Sequence, residues 1–251
     1  ELALGTILNN VEMARTDSAP ICQDTGTPVV WIHHPAGLST RALKEDFTDA
    51  VRQATERKYL RPNAVDTLTG ANTGDGAGRG IPFIHFEEWD NDRIEVQMIL
   101  KGGGSENVGT QYKLPEGSLG AGRDLEGVRR VVLDAVFQAQ GKGCAPGILG
   151  VCVGGDRVSG FETSKRQLLR PLADTNPVPE LAELEDRLLR EANELGIGPM
   201  GFGGSTTLLG VKVGVLDRLP ACYFVTVTYM CWASRKAGVA IDQEGDVTWL
   251  S

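Results

Sequence analysis

An α+β fold is predicted: a mixed, largely antiparallel sheet with packed helices, and glycine-rich loops at the strand ends. Three observations point there. Stretches with 3.6-residue apolar periodicity are interspersed with short apolar or alternating runs of strand type. Two of those runs are joined by the turn-forming segment "DND", residues 90–92. The 32 glycines are gathered in short motifs after the strands rather than in low-complexity tracts, as backbone brought close to a ligand requires. No internal repeat and no composition break divides the chain, so residues 1–251 read as a single domain.

In chain order, residues 1–15 carry Leu4, Ile7, Leu8 and Val11 on one helical face. Residues 27–33 read as a strand. Residues 40–58 read as a charged helix capped by Ser39 or Thr40. A loop rich in glycine and asparagine fills 60–80. Strands are expected over 81–87 and 93–100, paired antiparallel through the "DND" turn. Residues 124–140 form an amphipathic helix with Leu125, Val128, Val132, Val136 and Ala139 in register, ended by Gly141 and Gly143. A buried strand follows over 148–153, then a helix over 162–172. "NPVP" makes a hinge, a charged helix covers 179–195, and two strands lie within 206–231.

No apolar run approaches the ~18–20 residues that span a bilayer, and no cleavable signal pattern is present. A cytoplasmic location is expected. The chain opens at Glu1 inside a helical pattern and without methionine, which reads as a trimmed N-terminus. A net charge of −8 argues against nucleic acid or an anionic membrane as partner. It leaves room for an acidic small substrate, since a site needs only a few local cations.

Five cysteines, an odd number in a long chain without a secretory signal, speak against a disulfide framework. Cys22 in "CQDTG", Cys144 in "GKGCAPG" and Cys231 in "YMCWASRKAG" each end an element beside polar, glycine or proline residues. Cys152 and Cys222 sit in apolar strand-type runs. Three thiolates from distant positions suit a metal or cluster site, but the CxxC pairs of zinc ribbons and ferredoxins are missing. Reduced structural cysteines stay open as the alternative. If the three hold a [4Fe–4S] cluster, one iron is left open to act as a Lewis acid toward a hydroxyl. Reversible hydration of an activated alkene fits, given an acid/base group and cations for carboxylates. Asp24 is placed for the first role. Arg61 and Lys101 are candidates for the second, and Gly102, Gly103 and Gly104 offer backbone N–H groups.

The motifs "CQDTG", "YLRPNAVD", "NTGDG", "KGGGSENVG", "GCAPG" with "VGGD", "GIGPMGFGGSTTLLGVKV" and "CWASRKAG" occur in that order. Together they resemble the iron–sulfur class I fumarases and related L(+)-tartrate dehydratases, specifically their α-subunit or N-terminal half. The resemblance covers nearly the whole chain. It implies a hydro-lyase interconverting (S)-malate and fumarate, a step of the tricarboxylic acid cycle, with a [4Fe–4S] cluster on Cys22, Cys144 and Cys231. Cys222 is the competitor for the third ligand. The resemblance further implies that Asp24 touches the reacting end of the C4-dicarboxylate substrate. Gln23, Thr25 and Arg61 would bind the substrate, and Gly102, Gly103 and Gly104 would wrap substrate or cluster with backbone. The family's second half supplies further catalytic residues that this chain lacks, so a separate β-subunit and an α2β2 assembly are expected.

One departure is Leu219, in "DRLPACYF", where the family usually carries histidine. Leucine can neither donate nor transfer a proton, so either that histidine is dispensable here or activity or substrate range is altered. L(+)-tartrate or a methylated C4 acid is the alternative substrate. An iron- or oxygen-responsive protein that kept the fold and lost the chemistry is the alternative outside catalysis. His33, His34 and His85 have no ligand partners in the pattern and read as surface or core residues. "GFGGSTTLLG" lacks the GK[ST] ending of a phosphate loop.

Overall fold

A computed structural model describes residues 1–250. In chain order the elements are α1 (Leu2–Thr16), β1 (Thr27–His34), α2 (Thr40–Glu56), β2 (Phe83–Glu88), β3 (Ile94–Lys101), the short α3 (Gly103–Glu106) and β4 (Thr110–Lys113). Then come α4 (Leu125–Ala139), β5 (Gly147–Gly154), α5 (Arg157–Gln167) and α6 (Pro179–Glu194). The chain closes with β6 (Leu208–Leu216), β7 (Phe224–Met230), β8 (Lys236–Ile241) and β9 (Val247–Leu250). Backbone contacts divide it into two compact units: Met13–Gly103 with the residues from Ser234 onward, and Glu1–Glu12 with Gly104–Ala233. No helix among the described residues is long and apolar enough to cross a membrane.

The unit built on Met13–Gly103 holds a five-stranded sheet in the order β2-β1-β3-β8-β9. β1 runs parallel to β2 and antiparallel to β3. Its residues Val29, Val30, Trp31 and Ile32 are all buried, on both faces of the pleat. A strand with no solvent face belongs in a sheet interior, and this corrects the expected β2–β3 hairpin. The turn at residues 90–92 does reverse the chain, but it carries it past β1 instead of pairing its neighbours. Val30 and Ile32 pack with Val96, Leu43 and Phe47, the last two from α2. Ser39 caps that helix as expected, its Oγ accepting the Ala42 N–H at 3.2 Å.

The second unit holds a four-stranded sheet in the order β4-β7-β5-β6. β7 is antiparallel to β4 and β5, and β5 is parallel to β6. Both sheets are therefore mixed and largely antiparallel. Pleat parity sorts the two faces. Leu149, Val151, Val225, Val227 and Tyr229 join a core with Val128, Val132 and Val136 of α4 and Leu184 and Leu188 of α6. The opposite face carries Gly150, Thr226 and Thr228 and is covered by α5. There the Ser164 and Thr228 hydroxyls share a 2.7 Å hydrogen bond, and a Cβ on Gly150 would lie 1.9 Å from the Ser164 carbonyl oxygen.

Several boundaries differ from expectation. α5 begins at Arg157, not near 162, because Asp156 and Ser159 form a reciprocal capping box that starts the helix at the end of "GGD". α1 forms, yet buries none of its residues, and Leu8 is 67% exposed. β4, β8 and β9 were not foreseen: β4 and β9 have four residues each, and β8 starts inside the "CWASRKAG" motif. The "NPVP" hinge is pinned by a buried polar cluster. Glu185 accepts from Arg170, from Asn176 and from the Val213 N–H, while Lys212 donates to Asp174. Each charge there meets an opposite one, as burial requires.

Two consequences are measurable. Gly150→Ala forces α5 off the sheet and is expected to lower stability by at least about 2 kcal/mol in urea unfolding. Gly5→Ala, with open space around it, should leave the midpoint unchanged or slightly higher. Second, hydrogen bonds from Arg129 hold the Glu126 carboxyl down to about 2, with burial opposing and Arg130 assisting. A depressed carboxylate contributes stability above its unfolded value, near 4.5, and loses it as pH falls toward 2. The side chain is 41% exposed, so screening limits the effect to about 1 kcal/mol. Glu126→Gln should flatten the fall of the urea midpoint between pH 5 and pH 2.

Candidate active site

The turn that carries Cys22 leads directly into β1. Asp24 organises it: Oδ1 accepts the Gly26 N–H at 2.9 Å, and Oδ2 accepts the Gly103 N–H at 2.8 Å. The first bond is an Asx turn made by a short acidic side chain on its own backbone. The second follows from register, because Thr27 opposite Lys101 sets the start of β1 beside the end of β3. Gly26 has φ +83°, and a Cβ there would lie 2.6 Å from the Leu100 carbonyl carbon. Only glycine fits so close an approach.

The other sequence candidates of this unit lie near that turn. Thr25 is buried, and its Oγ1 accepts the Arg61 N–H at 2.9 Å. The exposed Arg61 guanidinium reaches the Gln23 carbonyl at 3.4 Å, and the Gln23 side chain is exposed. Lys101 and Gly102 are buried at the end of β3, and Gly103 is exposed. The Gly103 N–H, expected to face an oxyanion, is instead committed to Asp24. Gly104 is exposed and belongs to the other unit.

Two residues that hydrogen-bond to this turn escaped sequence reasoning. Arg235 donates from Nη1 to the Asp24 carbonyl at 2.8 Å, and its buried Nε has no hydrogen-bond partner among the described residues. Its signal in the sequence is its place in the segment "CWASRKAG", four residues past Cys231. Asn63 donates to the Gly26 carbonyl at 3.2 Å. One carboxylate, two guanidinium groups and a buried ammonium thus come from four separate stretches of one unit. A carboxylate so fixed can exchange a proton at a set position, and the cations suit an anionic substrate.

The other unit gathers two cysteines. Ile148 of β5 lies opposite Met230 of β7, so Cys144, just before β5, and Cys231, just after β7, share one end of the sheet. The Trp232 N–H donates to the Cys144 carbonyl at 3.4 Å. Cys222 precedes β7, at its opposite end; the seven residues of β7 alone span roughly 23 Å. Cys222 sits in a surface turn where Arg218 donates to its carbonyl at 3.1 Å. Leu219 is 70% exposed in that same turn, at the far end of β7 from Cys231. Cys152 is buried in β5, where desolvation pushes its thiol up to about 11, so it stays an inert thiol at neutral pH. No disulfide links the five.

Cys144 has φ +57° and ψ +62°. A left-handed backbone is costly for a residue with a Cβ, and such outliers gather at functional positions. Tyr229, two residues before Cys231, packs its ring against the loop that bears Cys144. Cβ atoms on Gly143 and Gly147 would lie 2.6 and 2.2 Å from that ring. Its hydroxyl is buried and has no hydrogen-bond partner among the described residues. Within either unit, no three His, Cys, Asp or Glu side chains among the described residues converge as a metal ion requires. Cys144 and Cys231, two sulfur donors at one end of a sheet, are side chains of the type that holds a metal or a cluster.

Comparison with known proteins gives this geometry its context. The family model described as Fumarate hydratase (Fumerase) matches residues 1–240. A Geobacillus stearothermophilus protein with the provisional name fumarate hydratase class I is 52% identical over 99% of this chain and 49% of its own length. The chain therefore spans about half the length of that relative. A Methanocaldococcus jannaschii protein with the provisional name L(+)-tartrate dehydratase subunit alpha is 35% identical over 93% of this chain and 82% of its own. The L(+)-tartrate dehydratase subunit alpha of Escherichia coli K12 is 30% identical over 94% of this chain and 77% of its own. With a family match over nearly the full length and relatives at these identities, the chain belongs to the fumarate hydratase (Fumerase) family.

Proposed function

We propose that this chain is the α-type half of a cytoplasmic hydro-lyase that interconverts (S)-malate and fumarate and holds a [4Fe–4S] cluster on Cys22, Cys144 and Cys231. Membership of the family and the name of the Geobacillus relative support the reaction class. The observation that carries the ligand assignment is the β5–β7 register, which brings Cys144 beside Cys231 and leaves Cys222 at the other end. When bound, such a cluster supplies a Lewis-acidic iron that polarises a substrate hydroxyl.

The chain's own residues do the rest. Asp24 holds or takes the proton on the carbon next to that hydroxyl, with its rotamer locked by the Gly26 and Gly103 N–H groups. Each of its oxygens keeps a lone pair for this exchange. Arg61 and Lys101 pair with substrate carboxylates, and Arg61 is positioned through Thr25. Gln23 lies on the exposed side of the turn, where it meets the substrate. Gly102, Gly103 and Gly104 keep bulk away from the ligand. Leu219 lies at the Cys222 end of its sheet, so it takes no part beside Cys144 and Cys231.

Because the chain spans half of the Geobacillus relative, and other relatives are named as alpha subunits, we propose a β-subunit partner in an α2β2 assembly. The tartrate dehydratase names favour L(+)-tartrate as the second substrate candidate. A substrate panel on the reconstituted two-chain complex separates them: malate turnover well above tartrate turnover is expected. Full fumarase turnover by the cluster-loaded chain alone would sink the partner proposal. A chain that binds the cluster yet ignores dicarboxylates in the complex would point to an iron-responsive role.

In that complex Asp24→Asn is expected to keep iron and sulfide content and lose about 100-fold or more in kcat. Equal turnover would remove Asp24 from the chemistry. Cys144→Ala and Cys231→Ala should abolish the brown colour of anaerobically reconstituted protein, whereas Cys222→Ala should keep it. Iron analysis reads the difference, and retention by Cys231→Ala would reassign the ligand.

A further inference from the structure

We infer that Tyr229 is a positioning residue that donates its hydroxyl to the anionic sulfur held at Cys144 and Cys231, and so protects the bound cluster from oxidative loss. This rests on the ligand assignment proposed above.

Three observations carry it. Tyr229 is 2% exposed, and its hydroxyl has no hydrogen-bond partner among the described residues. Buried tyrosine hydroxyls almost always find a partner, and leaving one unsatisfied costs about 1–3 kcal/mol. Phenylalanine would fill the same space without that cost, so packing alone gives no reason for the oxygen. Second, the ring is not free to turn elsewhere: Gly143 and Gly147 flank the Cys144 loop, and a Cβ on Gly147 would lie 2.4 Å from the hydroxyl oxygen itself. The two glycines make a slot for this ring inside the cysteine loop.

Third, Tyr229 and Cys231 are two residues apart and continue the same pleat parity, while Tyr229 pairs with Leu149 at the start of β5. The hydroxyl is thereby set beside both cysteine-bearing segments. Metal binding deprotonates cysteines, and a thiolate or sulfide sulfur with a donor aimed at it gives up electrons less readily, since hydrogen bonds to the sulfurs set cluster potentials.

The test compares wild type with Tyr229→Phe, both reconstituted anaerobically with iron and sulfide. Thermal unfolding of the apo chains should show Tyr229→Phe at least as stable as wild type, and iron content should match. Bleaching by ferricyanide should then be about 2- to 10-fold faster in the variant, the range one hydrogen bond supplies. Resonance Raman should show an H2O-to-D2O shift of the iron–sulfur stretching bands in wild type that shrinks in the variant. Equal bleaching rates and equal isotope shifts overturn the inference. Should the variant misfold, 3-fluorotyrosine at 229 keeps the ring and strengthens the donor: slower bleaching supports the bond, and an unchanged rate overturns it. If Cys144→Ala and Cys231→Ala keep their iron, the ligand assignment falls instead, so the two failures are told apart.

Discussion

Strand β7 is buried at every one of its seven positions, and a strand with no solvent face has to be paired along both edges. β4 and β5 supply the pairing. From that follow the features that give one unit its chemistry. Antiparallel pairing with β5 brings the chain entering one strand beside the chain leaving the other, which is where Cys144 and Cys231 sit. It also removes Cys222 and Leu219 to the opposite end. The odd side chains of both strands build the core with α4 and α6, and Tyr229 is the last of them before the cysteine.

The same constraint acts on β1 in the other unit. Because Val29 to Ile32 have no exposed face, β1 takes the interior place and β3 must lie against it. Lys101 then stands opposite Thr27, and the Gly103 N–H lands within reach of the Asp24 carboxylate. The catalytic candidate is held by backbone donors that the sheet itself delivers, so its geometry is tied to the fold and not to mobile side chains.

Much of this was legible in the residues. Helix periodicity located α2, α4 and α6 closely, since apolar spacing and caps are local signals. The polar company of Cys22 and the glycines near Cys144 marked both as unlike core cysteines. What failed was anything decided across the sheet. The "DND" turn announced a reversal but could not say that β1 would slip between the two runs it joins. α5 started early because a capping box outranked its weak apolar pattern. Arg235 and Tyr229 stayed hidden for the same reason. One acts on a turn some 200 positions away in sequence, and the other looks like any strand tyrosine until the Gly143–Gly147 slot is seen around it.

The backbone of Cys144 carries a last implication. At φ +57° glycine or asparagine would be relaxed, and cysteine is the strained choice. Drift toward glycine at this codon would stabilise the fold while deleting the sulfur. With Cys144 in the donor role proposed above, fold stability and donor retention pull in opposite directions at a single position, the usual trade at sites kept for chemistry. A copy of this chain freed from its task would be expected to shed this cysteine early and to be sturdier for it.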